Sequence, residues 1–531
     1  MLQNITPRRY QEEIFNTCRD KNCLVVLPTG IGKTLIVLML AIESLRKHPD
    51  NKVLFLAPTR PLAEQHLEYF KKHLPELFAT MEIFTGSVPA DKRKKLWQNA
   101  DIIFSTPQCI SNDIRNNLYD LSDACLLIED EAHRCIRNYD YTYVAKHYLE
   151  NSINARVLGL TASPGSDKAR IQEICRNLGI EALELRTRNS DDVREYLQEL
   201  KIEIIKIDYP EEIAKIRNLL KIIYDKKINE LKNRKLLFGP PTKKTILELQ
   251  TRLIRMITTG NRNFNNLAGS STCAQAIKLQ HAIELIETQT LETAFQYLKE
   301  LFDQSAKKKS KAVQNLVKQK EFNEAYISLT ELISRKVEHP KLSRVKDVVK
   351  EEINDVKKRA IIFTQYRATA SRICKELNSL QNINARVFVG QLKKGDTGLS
   401  QREQKELLDE FRAGKINLLV ATSIGEEGLD LPEVSLVVFY EPIPSAIRKI
   451  QRGGRTARLK PGKIITLVTQ KTRDETYYWA AFHKEKRMHS AIDSINKDFR
   501  IKEQVINKEQ KTLEEFNNSD SVKNSDDKEE K

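Results

Sequence analysis

The 531-residue chain has no apolar run of 18 residues, and its mean hydropathy is -0.49, which excludes a membrane-spanning helix. Its eight cysteines are scattered, and no two stand in a C-x-x-C pair, so neither a disulfide framework nor a zinc or iron–sulfur site is implied. Residues Met1 to Pro7 have neither a basic run nor an apolar stretch, and no export signal is read there. Acids are in deficit, 72 against 88 Lys and Arg, which leaves a net charge of +16 and suits a polyanionic partner without demanding one. Hydrophobic residues are not scarce at 40%, and the length exceeds that of a single growing core, so two to four domains are expected.

Short continuous apolar runs alternate with helical patterns in two separate stretches. The first holds 23–27, 53–57, 102–104, 126–128 and 157–160; the second holds 360–363, 385–388, 418–420, 436–439 and 464–467. Runs of this kind, apolar on both faces, indicate parallel strands covered by helices. The expected fold is α/β: two doubly wound parallel-sheet lobes, residues 1–205 and 341–500, with an all-helical insert at 206–340. Residues 211–340 show Leu/Ile at helical spacing and carry 23 Lys and Arg against 14 acids. More than half of the chain's excess charge therefore lies in about a quarter of its length, including Lys307, Lys308, Lys309 and Lys311. One Lys-rich helix face is ordinarily solvated surface, but repetition over several helices favours a nucleic-acid surface. The polar tail, 501–531, is expected to be disordered.

Pro28-Thr29-Gly30-Ile31-Gly32-Lys33-Thr34 follows an apolar strand and opens a helix. Glycines let backbone wrap phosphates, and a helix N-terminus offers free N–H groups and a positive dipole. Lys33 can reach β- and γ-phosphates, and the Thr34 hydroxyl can ligate magnesium. The strict P-loop pattern fails at Leu27, where its first glycine would stand. Asp130-Glu131-Ala132-His133 ends a strand about 100 residues later, at the crevice where such sheets bind ligands. Asp130 would hold magnesium, and Glu131 would orient and activate water. In the second lobe, Gln451, Arg452, Arg455 and Arg458 lie in one short stretch, and the arginines share a helix face. A lobe without its own P-loop that presents arginines suggests fingers for a phosphate site on the other lobe.

Together these residues resemble superfamily 2 helicases, whose lobes are RecA-like and whose cofactors are ATP and Mg2+. The resemblance runs from Thr6 to about Arg487, apart from the insert. It implies that Arg8 and Gln11 read adenine, that Arg455 and Arg458 are the fingers with Gln451 near the γ-phosphate, and that Gly428 and Asp430 approach the nucleotide, Asp430 at its ribose. It further implies strand contacts at Thr59, Arg60, Thr85, Gly86, Thr106, Pro107, Thr364, Gln365 and Thr422, and coupling through His133, Thr161 and Ser163. Hydroxyls such as those of Thr59, Thr106 and Thr422 suit phosphate contacts, which hold a strand without reading its sequence.

The helical insert, the D-E-A-H box and the phrase Arg473 to Trp479 are similar to the Hef/FANCM family of fork-remodelling helicases. The resemblance implies an ATP-dependent helicase or translocase on forked or branched DNA, 3′ to 5′, acting in fork repair and recombination, with a thumb-like insert. It implies a cytoplasmic, nucleoid-associated protein. No E-R-K-x-x-x-D nuclease string is found, so a motor without cleavage activity is expected, with a separate nuclease as a candidate partner. A double-stranded RNA helicase of the innate-immune type is a competing reading; the last cysteine is Cys374, so a zinc-bound RNA-end domain is not expected. A catalytically inactive DNA scaffold is another, opposed by intact Lys33, Asp130, Glu131, Arg455 and Arg458. In the tail, Gln510, Leu513 and Phe516 resemble the peptide that sliding clamps (PCNA) bind.

Overall fold

The computed structural model describes the backbone of residues 4–355, 358–390, 398–422, 431–445 and 460–523, together with Leu2, Ile450, Gly453, Gly454, Thr456 and Ala457, and side chains as far as Phe499. The first sheet has β1 (Cys23–Val26), β2 (Lys52–Leu56), β3 (Met81–Phe84), β4 (Ile102–Ser105), β5 (Ala124–Asp130), β6 (Val157–Thr161) and β7 (Ala182–Leu185). Their order is β3-β4-β2-β5-β6-β1-β7, and every pairing is parallel. The central strands are buried along their whole length, because helices cover both faces. Two cores result, one on each face.

The second sheet has β8 (Leu200–Ile207), β9 (Ala360–Phe363), β10 (Ala385–Phe388), β11 (Leu418–Ala421), β12 (Leu436–Phe439) and β13 (Gly462–Thr469), again all parallel, in the order β10-β11-β9-β12-β13-β8. The expected boundary at 205 is corrected here. β8 pairs with β13 from Leu200↔Gly462 to Ile207↔Thr469 and so belongs to the second lobe. A half-exposed edge strand shows its alternation in sequence but not its partner, which is about 260 residues away.

Between the lobes, Glu211–Asn233, Lys243–Thr258, Phe264–Thr288, Leu291–Ala306, Lys311–Val317 and Lys320–Ser334 form the expected helical insert. Its base is anchored to the second lobe. Thr369 Oγ1 donates to Gln289 Oε1 at 2.8 Å and lies 3.2 Å from Thr293 Oγ1. Lys341 and Asp474 form a fully buried ion pair beside this junction.

After β13 the chain enters a long helix, Arg473–Lys523, and two expectations change with it. The helix leaves the second lobe and sets Met488, Ala491, Ile492 and Ile495 into the core of the first, so residues up to 500 are not confined to the second lobe. Burying each isoleucine contributes about 1.5–3 kcal/mol. The backbone also stays helical from 501 to Lys523, where a disordered tail is expected. The Glu, Lys and Gln that make this tail polar are also good helix formers.

Candidate ATP site and nucleic-acid lip

β1 runs into the turn Pro28–Gly32, and the helix Lys33–Lys47 starts directly after it. Gly30 and Gly32 have φ of 85° and 81°, left-handed values that L side chains tolerate poorly. A Cβ on Gly32 would also overlap the Gln11 amide. Gln11 ties the upstream segment to this turn: Oε1 accepts from Arg8 N at 2.8 Å, and Nε2 donates to Gly32 O at 3.1 Å. The Arg8 guanidinium stands 4.9 Å from the ring centre of Tyr196. Tyr10 donates its hydroxyl to Ile31 O.

Asp130 closes β5 at its carboxyl end. Its Oδ1 accepts from Glu131 N at 3.0 Å, and its Oδ2 lies 3.1 Å from His66 Nε2. Burial pushes the carboxyl up, but the His66 hydrogen bond and charge, with Lys33 and the Glu131 amide, outweigh it and hold Asp130 below the usual range. Tyr141 fixes the strand end by donating to Asp130 O at 2.7 Å. Glu131 has φ of 53°, and its buried Oε2 lies 3.2 Å from His133 Nδ1 but out of hydrogen-bonding alignment. His133 Nδ1 is in turn 3.2 Å from Thr161 Oγ1, which accepts from Ser163 N at 3.1 Å. Ser163 Oγ reaches Met488 Sδ at 2.9 Å, so the expected coupling residues stand together and touch the helix arriving from the second lobe.

The second lobe meets the P-loop itself. A Cβ on Gly454 would overlap Thr29 Oγ1, and Arg188 of the first lobe donates to Ala457 O at 3.2 Å. Gly454 and Ala457 flank Arg455. Gln451, Arg455, Arg458, Gly428 and Asp430 lie outside the described residues, as do the side chains of Gln510, Leu513 and Phe516.

The strand-contact candidates of the first lobe follow three neighbouring strands. Thr59 and Arg60 come after β2, Thr106 and Pro107 after β4, and Thr85 and Gly86 after β3, which makes one continuous lip. Arg60 links two of these loops by donating to Ser87 Oγ at 3.3 Å. Thr85 is buried with its hydroxyl on Ser87, so the exposed groups there are Gly86 and Ser87. Thr422 is buried. Thr364 is fully buried, with its hydroxyl 3.1 Å from Glu441 Oε2 and 3.5 Å from Gln289 Oε1, so that hydroxyl is engaged within the protein. Gln365 beside it is exposed. Sequence reasoning missed His66, Tyr141, Tyr196, Gly454 and Met488. Of these, His66 left a signal, as a polar residue on the helix face that buries Ala63 and Phe70.

The residues fit Mg-ATP. Thr29 Oγ1 is buried with no hydrogen-bond partner, two glycines keep the turn open to phosphate, and Thr34 follows Lys33 at the helix start, with an ionised Asp130 at the carboxyl end of β5.

Residues 8–171 match the DEAD/DEAH box helicase family, 341–460 the helicase conserved C-terminal domain, and 212–339 the helical bundle of a putative ATP-dependent RNA helicase. The crystal structure of the Pyrococcus furiosus Hef helicase domain is 42% identical, with a TM-score of 0.68, over 90% of this chain and 98% of that one. The chain belongs to the Hef/FANCM-like superfamily 2 helicases. A putative ATP-dependent RNA helicase of Methanocaldococcus jannaschii is 37% identical over 93% of this chain. A putative ATP-dependent DNA helicase of Schizosaccharomyces pombe, fml2, is 33% identical over 88% of it. The chain spans 61% and 62% of the length of these two relatives.

Proposed function

We propose that this chain hydrolyses ATP between its two sheet lobes and uses their closure to move 3′ to 5′ along one strand of forked or branched DNA. The observation that carries the reading is the seating of Gly454, next to Arg455, directly against Thr29 of the P-loop. Lys33 and the backbone of Thr29 to Gly32 hold the phosphates, and Arg8 and Gln11 take the base. Magnesium, when bound, supplies positive charge against the phosphates and would be held by Thr34 and Asp130. Glu131 orients water and takes its proton, while Arg455, Arg458 and Gln451 neutralise charge from the opposite lobe. His133, Thr161 and Ser163 link that chemistry to the helix Arg473–Lys523. Thr59, Arg60, Gly86 and Thr106 hold the strand by its phosphates. Gln510, Leu513 and Phe516 form a sliding-clamp docking peptide.

The test is ATP turnover with forked DNA, linear duplex, single strands and structured RNA. Forked DNA is expected to stimulate most. Strongest stimulation by structured RNA would assign an RNA substrate, and no stimulation by any of the four would overturn a nucleic-acid motor.

A further inference from the structure

The insert has two cores. The basal one gathers Leu220, Leu279, Leu298 and Phe322; the distal one is smaller and is built on Leu231, Leu237, Leu249 and Leu253. Residues 234–242 close the distal core and are firmly held. Arg252 donates to Leu236 O at 3.1 Å, Tyr224 donates to Pro241 O at 3.1 Å, and a Cβ on Gly269 would overlap Leu236. From this fixed frame two rings are left in solvent, Phe238 at 74% exposure and Phe264 at 79%. Leu237 is buried while its neighbour Phe238 is not, so folding uses one and leaves the other.

The segments that carry them are strongly basic. Residues 231–271 hold eight Lys and Arg and one acid, Glu248, which lies 3.8 Å from Lys244. The Arg234 guanidinium stands 5.8 Å from the Phe264 ring centre. Lys235, Arg252, Arg255 and Arg262 are exposed, and among the described residues none has a carboxylate within ion-pair distance. Arg234 is itself paired with Glu230 at 3.2 Å, while Lys235, Arg252, Arg255 and Arg262 are free for a polyanion. Exposed rings on segments rich in such cations complement a partner that has both phosphates and flat π surfaces.

We propose that Phe238 and Phe264 stack on unpaired bases at the junction of branched DNA, while the surrounding arginines hold the flanking phosphates. The inference rests on the DNA reading above and adds to it the contact by which the insert senses unpaired nucleotides. Stacking tolerates any sequence, because every base has a π face.

The experiment uses the full chain and forks carrying 2-aminopurine either at the unpaired position beside the junction or within the duplex stem. The wild type is expected to quench the junction probe and not the stem probe. Phe238→Ala with Phe264→Ala is expected to abolish the quench and weaken fork binding about 10- to 100-fold, while ATP turnover stimulated by single strands stays unchanged. Phe238→Trp with Phe264→Trp restores both signals. Equal quenching and affinity in wild type and double alanine variant would overturn the proposal, as would ring-dependent binding to anionic vesicles with DNA binding unaltered. A wild type that neither binds forks nor hydrolyses ATP on them would overturn the underlying DNA reading itself, and the stacking proposal with it.

Discussion

Gly454 of the second lobe and Thr29 of the first stand so close that no side chain fits between them: a Cβ on Gly454 would overlap the Thr29 hydroxyl and lie 2.9 Å from its Cβ. Gly454 belongs to the second lobe and Thr29 to the first, so the contact is one between the lobes. Gly454→Ala is expected to reduce DNA-stimulated ATP turnover about 10²-fold, the scale of an ångström-sized misplacement of catalytic groups, with little change in Tm. Adding Thr29→Ala removes the overlapping oxygen and recovers part of the loss. Wild-type turnover in Gly454→Ala would show that the lobes do not need this approach.

His66 is a positioning residue for Asp130, which it meets at 3.1 Å. His66→Ala is expected to raise the Mg2+ concentration for half-maximal turnover about 10-fold or more, the range seen when a partner behind a metal ligand is lost. An unchanged magnesium dependence, with turnover merely lowered, would assign His66 to packing alone.

His339 caps the helix Pro340–Glu352, its Nδ1 accepting from Lys341 N at 3.3 Å. Burial, with the Lys341 charge, pushes its pKa down from 6.5 to about 3. The folded state therefore binds fewer protons than the unfolded chain between these values, and the stability from a neutral His339 is lost as pH falls below about 6.5. At pH 5 the loss is about 2 kcal/mol. His339→Asn keeps a capping oxygen without a titrating ring, so its Tm measured from pH 7 to pH 5 is expected to fall less than that of the wild type. Parallel Tm profiles would remove His339 from the acid sensitivity.

Lys307, Lys308, Lys309 and Lys311 are all exposed around the end of the helix Leu291–Ala306. Changing all four to Glu is expected to weaken fork binding and flatten the slope of log affinity against log salt. An unchanged slope would return these lysines to ordinary solvated surface.

The central strands of both lobes were legible because burial on both faces writes itself as continuous apolar runs. β3 and β7 were not, since edge strands of four half-covered residues carry no such run. β8 could be read as a strand but not placed, because its partner lies across the whole insert. Lys33, Asp130 and Thr161 stand out in the sequence through local chemistry, a Gly-rich turn and strand-end polar groups. His66, Gly454 and Met488 act through distance in space, and nothing beside them in the chain announces Asp130, Thr29 or Ser163. Thr364 shows what a motif alone does not: its hydroxyl meets Gln289 of the insert and Glu441 of the second lobe.

The claim that this chain is an ATP-driven motor on branched DNA is tested most directly by strand displacement from a forked duplex, comparing wild type with Glu131→Gln at saturating Mg-ATP. The wild type is expected to separate the fork, while Glu131→Gln binds it with similar affinity and separates almost none. Separation by Glu131→Gln at the wild-type rate, or a wild type that binds the fork and never opens it, would contradict the account.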